Sequence, residues 1–125
     1  MKFLLIDDSS FDLFTQEKLL LRSGLTTEVI TFSSAQLALD FLETQPAEMP
    51  ETVILLDLQM PGINGFQFIA KYAHLADELR ARIKVFMISS TVDRTDMEEA
   101  TANPFIIQLL SKPLEIPVLK SLLNM

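Results

Sequence analysis

Thr52-Val53-Ile54-Leu55-Leu56-Asp57-Leu58-Gln59-Met60-Pro61-Gly62 is the stretch from which the fold is read. Thr52–Leu56 is a run of β-branched and apolar residues, as a strand buried on both faces requires. A carboxylate closing such a run is costly unless something holds it. Pro61-Gly62 turns the chain out of the core directly afterwards. Asp57 is therefore expected at the C-terminal mouth of a central strand, where open α/β sheets place their ligands. Working outward, the run Phe3-Leu4-Leu5-Ile6 ends in Asp7-Asp8, and Phe105–Leu110 is followed by Lys112. Three strand ends supplying three acids and one base read as a site.

Strand and helix signals alternate along the whole chain. Lys2–Ile6 is the first strand. Ser9-Ser10 can cap a helix running to about Arg22, with Phe11, Phe14 and Leu21 on one face and Gly24 as its stop. Glu28–Phe32 is the second strand. Ser33-Ser34 opens a helix through Leu37, Leu39, Phe41 and Leu42, ended by Pro46. After the Thr52–Leu56 strand, a third helix follows Gly65 and carries Phe66, Ile69 and Tyr72. Ile83–Ile88 is the fourth strand, Asp93–Ala102 a short acidic helix, Phe105–Leu110 the fifth strand. Leu114–Leu123 is the last helix, with Pro117 in its first turn. A βα unit repeated five times predicts an α/β fold. It is a doubly wound, five-stranded parallel sheet of flavodoxin-like order 2-1-3-4-5, with five helices on its faces. That order brings the first and third strand ends side by side, so Asp7, Asp8 and Asp57 converge with Lys112 in reach.

Composition narrows the function. The 125 residues read as one domain, 1–125, near the commonest domain size. A formal net charge of −7, with ten scattered basic residues, excludes a phosphate-tracking surface and with it nucleic acid. The longest apolar stretches are far short of a membrane span, and Asp7-Asp8 ends the N-terminal one too soon for a signal peptide. There is no cysteine, hence no disulfide, no thiol chemistry and no Cys-ligated zinc, in keeping with a reducing cytoplasm.

The constellation has a chemistry of its own. Three neighbouring carboxylates raise one another's pKa, and a hard divalent cation relieves them. Mg²⁺ binds through one or two carboxylates, waters and phosphate oxygens. One carboxylate is then free to attack phosphorus. Lys112 supplies a point charge for a phosphoryl oxygen, and Ser89 or Ser90 a hydroxyl.

With these pieces the chain resembles the response-regulator receiver family. The resemblance is carried by Asp7-Asp8, by Asp57–Gly62 with Asn64-Gly65, by Met87-Ile88-Ser89-Ser90-Thr91, and by Ser111-Lys112-Pro113. It implies that Asp57 accepts a phosphoryl group from a histidine kinase or phosphotransfer protein. It implies that Asp7, Asp8 and Asp57, with the backbone carbonyl of Gln59, hold Mg²⁺. Ser89 matches the switch hydroxyl, Lys112 the family's lysine, and Lys112–Pro113 its usual cis peptide. The protein would be a cytoplasmic signalling phosphoacceptor that catalyses only its own phosphorylation and dephosphorylation. It would act on a downstream protein target, as a monomer or as a weak dimer through the helix 4–strand 5–helix 5 face. One position departs: Leu109 stands where the family often carries an aromatic switch residue. That leaves a degenerate receiver, binding partners without phosphorylation, as the alternative. A phosphatase with an aspartyl-phosphate intermediate would need an acid where Gln59 stands. A flavin-type phosphate loop would not open with two acids. His74 reads as a structural or surface residue, and the Met and Phe residues as core packing.

Overall fold

β1 (Lys2–Ile6) lies between β2 (Glu28–Phe32) and β3 (Thr52–Asp57); β4 (Ile83–Ser89) and β5 (Gln108–Ser111) extend the sheet beyond β3. All pairings are parallel and the order is 2-1-3-4-5, as the alternation of signals predicts. The computed structural model describes residues 1–125. The connecting helices are α1 (Ser10–Ser23), α2 (Ala35–Glu43), α3 (Gly65–Tyr72), α4 (Asp77–Arg80), α5 (Arg94–Ala102) and α6 (Ile116–Leu122).

Side chains alternate across the sheet, so each strand feeds two cores. Leu4, Ile6, Ile54, Leu56, Val85 and Met87 pack with α2, α3 and α5. Phe3, Leu5, Val53, Leu55, Phe86 and Ile88 pack with Leu20 of α1 and Leu119 of α6. Every residue of β3 is buried, which is why its sequence shows a continuous apolar run instead of an alternating one. No helix is long and apolar enough to cross a membrane.

The register fixes where the strands stop. Ile6 pairs with Leu56, Asp57 with Ile88, and Ser89 with Ser111. Asp7, Asp57, Ser89 and Lys112 are therefore delivered to one edge of the sheet.

The structure corrects several expectations. There are six helices, the extra one being the single turn Asp77–Arg80. Phe11, Phe14 and Leu21 do not form the core face of α1; they are 75%, 59% and 43% exposed. The buried positions are Gln16 and Leu20. The phase of α1 is set by its cap, where the Ser9 side chain accepts from Asp12 N, and not by its most apolar residues. Met97 and Leu37 are likewise exposed, so packing does not account for every Met or apolar helix residue. β5 starts at Gln108, three residues later than its apolar run. Phe105 N instead donates to Asn103 Oδ1, and the Phe105 ring packs edge-on to Tyr72 beneath the Arg80 guanidinium. His74 is exposed and Leu109 buried.

Candidate functional site

Asp7 continues the β1 ladder for one residue, its N–H donating to Phe32 O. Its Oδ1 accepts from Ser9 N at 2.9 Å, and Ser9 in turn caps α1. The carboxylate is thus tied to the start of a helix. Only 1% of Asp7 is exposed, while Asp8 beside it faces solvent. Asp57 is the last residue of β3 and is also buried. Leu58 N donates to Ile88 O, anchoring the strand end, and Asp57 Oδ1 accepts from Gln59 N at 3.3 Å.

The loop after Asp57 returns at once to α3. Asn64 and Gln67 form a reciprocal capping box, and Gly65 N donates to Leu58 O. Space at Gly65 is tight: a Cβ there would lie 3.0 Å from Leu58 Cα and 3.1 Å from Asp57 O. The helix thereby abuts the backbone of Asp57 itself.

Ser89 and Ser90, equivalent on paper, are separated by the fold. Ser89 is fully buried, whereas Ser90 is exposed. Ser89 Oγ donates to Thr91 O and accepts from Thr91 N, closing a tight turn on itself. Lys112 N donates to Ser89 O, and the Lys112–Pro113 bond is cis, as the resemblance implied.

Lys112 Nζ lies 2.8 Å from Asp7 Oδ2, 2.8 Å from Asp12 Oδ2 and 3.5 Å from Asp57 Oδ1. Burial works against its charge, but the hydrogen bonds to Asp12 and Asp7 and the charge of Asp57 outweigh it, and its pKa rises. Asp57 is also pushed up, away from the range of an ordinary carboxylate. Burial, then the Asp7 charge, raise it to about 6, against the opposing pull of Lys112 and Gln59 N–H.

Carboxylate oxygens of Asp7, Asp8 and Asp57 come within 4.8 Å of one another. Two of these acids are buried, and one lysine is shared among them and Asp12. A convergent, oxygen-only and under-neutralised donor set fits a hard divalent cation of the Mg²⁺ class. Asp12 is the member that the sequence does not announce. On the first turn of α1 an acid is ordinary helix-dipole chemistry. The widest groove, about 800 Å³, runs between the loop after Asp57, α3 and α5; Gln59, Asn64 and Asp96 line it, and none of the three clustered carboxylates does.

The response regulator receiver domain is the family whose model matches, over residues 3–124. Among solved structures, the chain is similar to a response regulator receiver protein from Dyadobacter fermentans at 65% identity and a TM-score of 0.96, covering 99% of this chain and 95% of that one. It is similar to a two-component response regulator from Cytophaga hutchinsonii at 27% identity and a TM-score of 0.88, covering 98% and 93%. The chemotaxis protein CheY4 of Vibrio cholerae, 23% identical with a TM-score of 0.75 over 98% and 95%, shares the fold. No curated protein matches the chain.

Proposed function

The chain belongs to the response regulator receiver family, and from that membership we propose that residues 1–125 act as a receiver whose Asp57 accepts a phosphoryl group from a histidine kinase or phosphotransfer protein. The observation that carries this reading is the meeting of Asp7, Asp8 and Asp57 at one sheet edge with Lys112 against them.

In the transfer, a carboxylate oxygen of Asp57 forms the new P–O bond. The P–N bond of the donor's phosphohistidine breaks, and its electron pair leaves with the imidazole, which takes up a proton. Asp7, Asp8, Asp57 and the Gln59 carbonyl would hold Mg²⁺, which when bound neutralises phosphoryl oxygens and draws the acids into their charged form. Lys112 supplies the fixed positive charge on the other side. Ser89 exchanges its turn bonds for a phosphoryl oxygen, and the segment 89–91 carries that displacement toward α5, β5 and α6. The output is a changed affinity for a protein target. Leu109, buried beside Met87 in the ladder, takes no part as an aromatic reporter. The reading sets the protein in the cytoplasm, as a signalling phosphoacceptor that acts on no outside substrate.

The test is incubation with Mg²⁺ and acetyl phosphate, read by intact mass. One phosphoryl adduct is expected, absent from Asp57→Asn and from samples with EDTA. An adduct that persists in Asp57→Asn, or none in wild type with Mg²⁺ and beryllofluoride binding also absent, would sink the reading.

A further inference from the structure

Asp12 has no part in the acid cluster that would hold a metal, yet it makes one of the two shortest contacts to Lys112. Its Oδ2 is 2.8 Å from Nζ, equal to the Asp7 contact, while Asp57 Oδ1 stands at 3.5 Å. An ammonium has three N–H donors, and two are committed to Asp7 and Asp12. These two acids are not equivalent. Asp7 is 1% exposed, so losing its cation would strand a buried charge. The Asp12 side chain is 33% exposed and can be released to water at small cost. When Asp57 acquires a phosphoryl group, the contact that Lys112 can surrender is therefore the one with Asp12.

We propose that Asp12 is a positioning residue that holds Lys112 toward α1 in the resting state, competing with modified Asp57 for the ammonium and so lowering the occupancy of the phosphorylated form. This deepens the phosphoacceptor reading and rests on it. Asp12 touches no reacting atom; it acts through Lys112. Because it sits on α1 and Lys112 follows β5, the pair also ties the two elements together until the site is charged.

The experiment uses the full chain in Mg²⁺ and titrates beryllofluoride as the phosphoryl probe, read by amide NMR. Asp12→Asn is expected to tighten binding about two- to fivefold, the range of a partly exposed ion pair. Asp12→Ser, a second neutral variant compatible with a helix start, is expected to do the same. Asp12→Glu, which keeps the charge, should stay within about twofold of wild type. Glu115→Gln makes the same change of net charge on an exposed side chain that forms no ion pair, and should leave the midpoint where it was. Lys112 side-chain resonances of Asp12→Asn should differ from wild type in the free protein and coincide with it in the beryllofluoride form.

Unchanged or weaker binding by both neutral variants overturns the proposal, as does an equal gain in Glu115→Gln, which would reduce the effect to net charge. Wild type that binds no beryllofluoride overturns the phosphoacceptor reading and this one with it, so the two failures are distinguishable.

Discussion

Lys112 Nζ stands 3.5 Å from Asp57 Oδ1, near enough for charge to act and beyond a good hydrogen bond. The ammonium is held elsewhere, and its removal strikes first at Asp7, whose only ion pair it is. Lys112→Ala should therefore lose about 3–5 kcal/mol of stability without metal, the usual cost of breaking a buried pair. Urea unfolding in EDTA measures this, and a loss below about 1 kcal/mol would contradict the burial argument.

The acid end of the same contact gives a pH dependence of definite sign. Burial and Asp7 raise the Asp57 carboxyl from an ordinary 3.8 to about 6. Below about pH 4 it is protonated in both folded and unfolded chains and makes no difference. Between about 4 and 6 the folded state keeps a proton that the unfolded state has lost, so stability falls as pH rises. Above 6 the penalty is complete, on the order of 3 kcal/mol. Metal-free Asp57→Asn should thus be more stable than wild type above pH 6, with the gap closing toward pH 4. A gap that does not vary with pH would show that Asp57 titrates normally.

Mg²⁺ should relieve that penalty. At a hundredfold excess over Kd, binding to the folded state alone adds about 2.7 kcal/mol, visible as a raised melting temperature that EDTA reverses. Asp8 faces solvent and forms no ion pair, so Asp8→Ala should leave the metal-free melting temperature nearly unchanged and remove most of the Mg²⁺ increment. An undiminished increment would take Asp8 out of the metal site.

Gly65→Ala tests the seat of α3. The added methyl meets Leu58 Cα and Met87 Cε at 3.0 Å; the Met87 side chain can yield, but the Leu58 backbone must shift by a few tenths of an ångström. A cost of about 1–3 kcal/mol is expected, with amide shifts concentrated at Asp57–Gly65. Shifts confined to the helix's outer face would mean that the close approach is not rigid.

The exposed aromatics of α1 offer a clean contrast. Phe11→Ala should change stability by no more than about 0.5 kcal/mol, and Leu20→Ala should cost about 2–5 kcal/mol. Comparable losses would restore Phe11 to the core.

That contrast marks what could be read in advance. The sheet was legible because β3 is apolar from Val53 to Leu56 and β1 and β4 nearly so throughout, and a strand carries that signal in consecutive residues. The acids were legible because each interrupts such a run. The orientation of α1 was not. Gln16 is buried and Phe11 exposed, opposite to their hydrophobicity, since Ser9 and Asp7 fix where the helix begins. The start of β5 was hidden for a similar reason: Phe105 is as apolar as a strand residue but is claimed by Tyr72 and Arg80. Asp12 left no mark, because its partner lies a hundred positions away. Only the packing of α1 against the assembled sheet brings the two together.

The single-edge delivery of Asp7, Asp57, Ser89 and Lys112 has a bearing on how such a chain can diversify. The clustered acids, hydroxyl and lysine lie where strands end, and the residues that hold the molecule up lie within them. Rim positions such as Gln59, Thr91 and Asp12 are exposed or half-exposed. Such positions can be substituted one at a time with little effect on the packed interior, so the surroundings of the site and the stability of the fold can change independently.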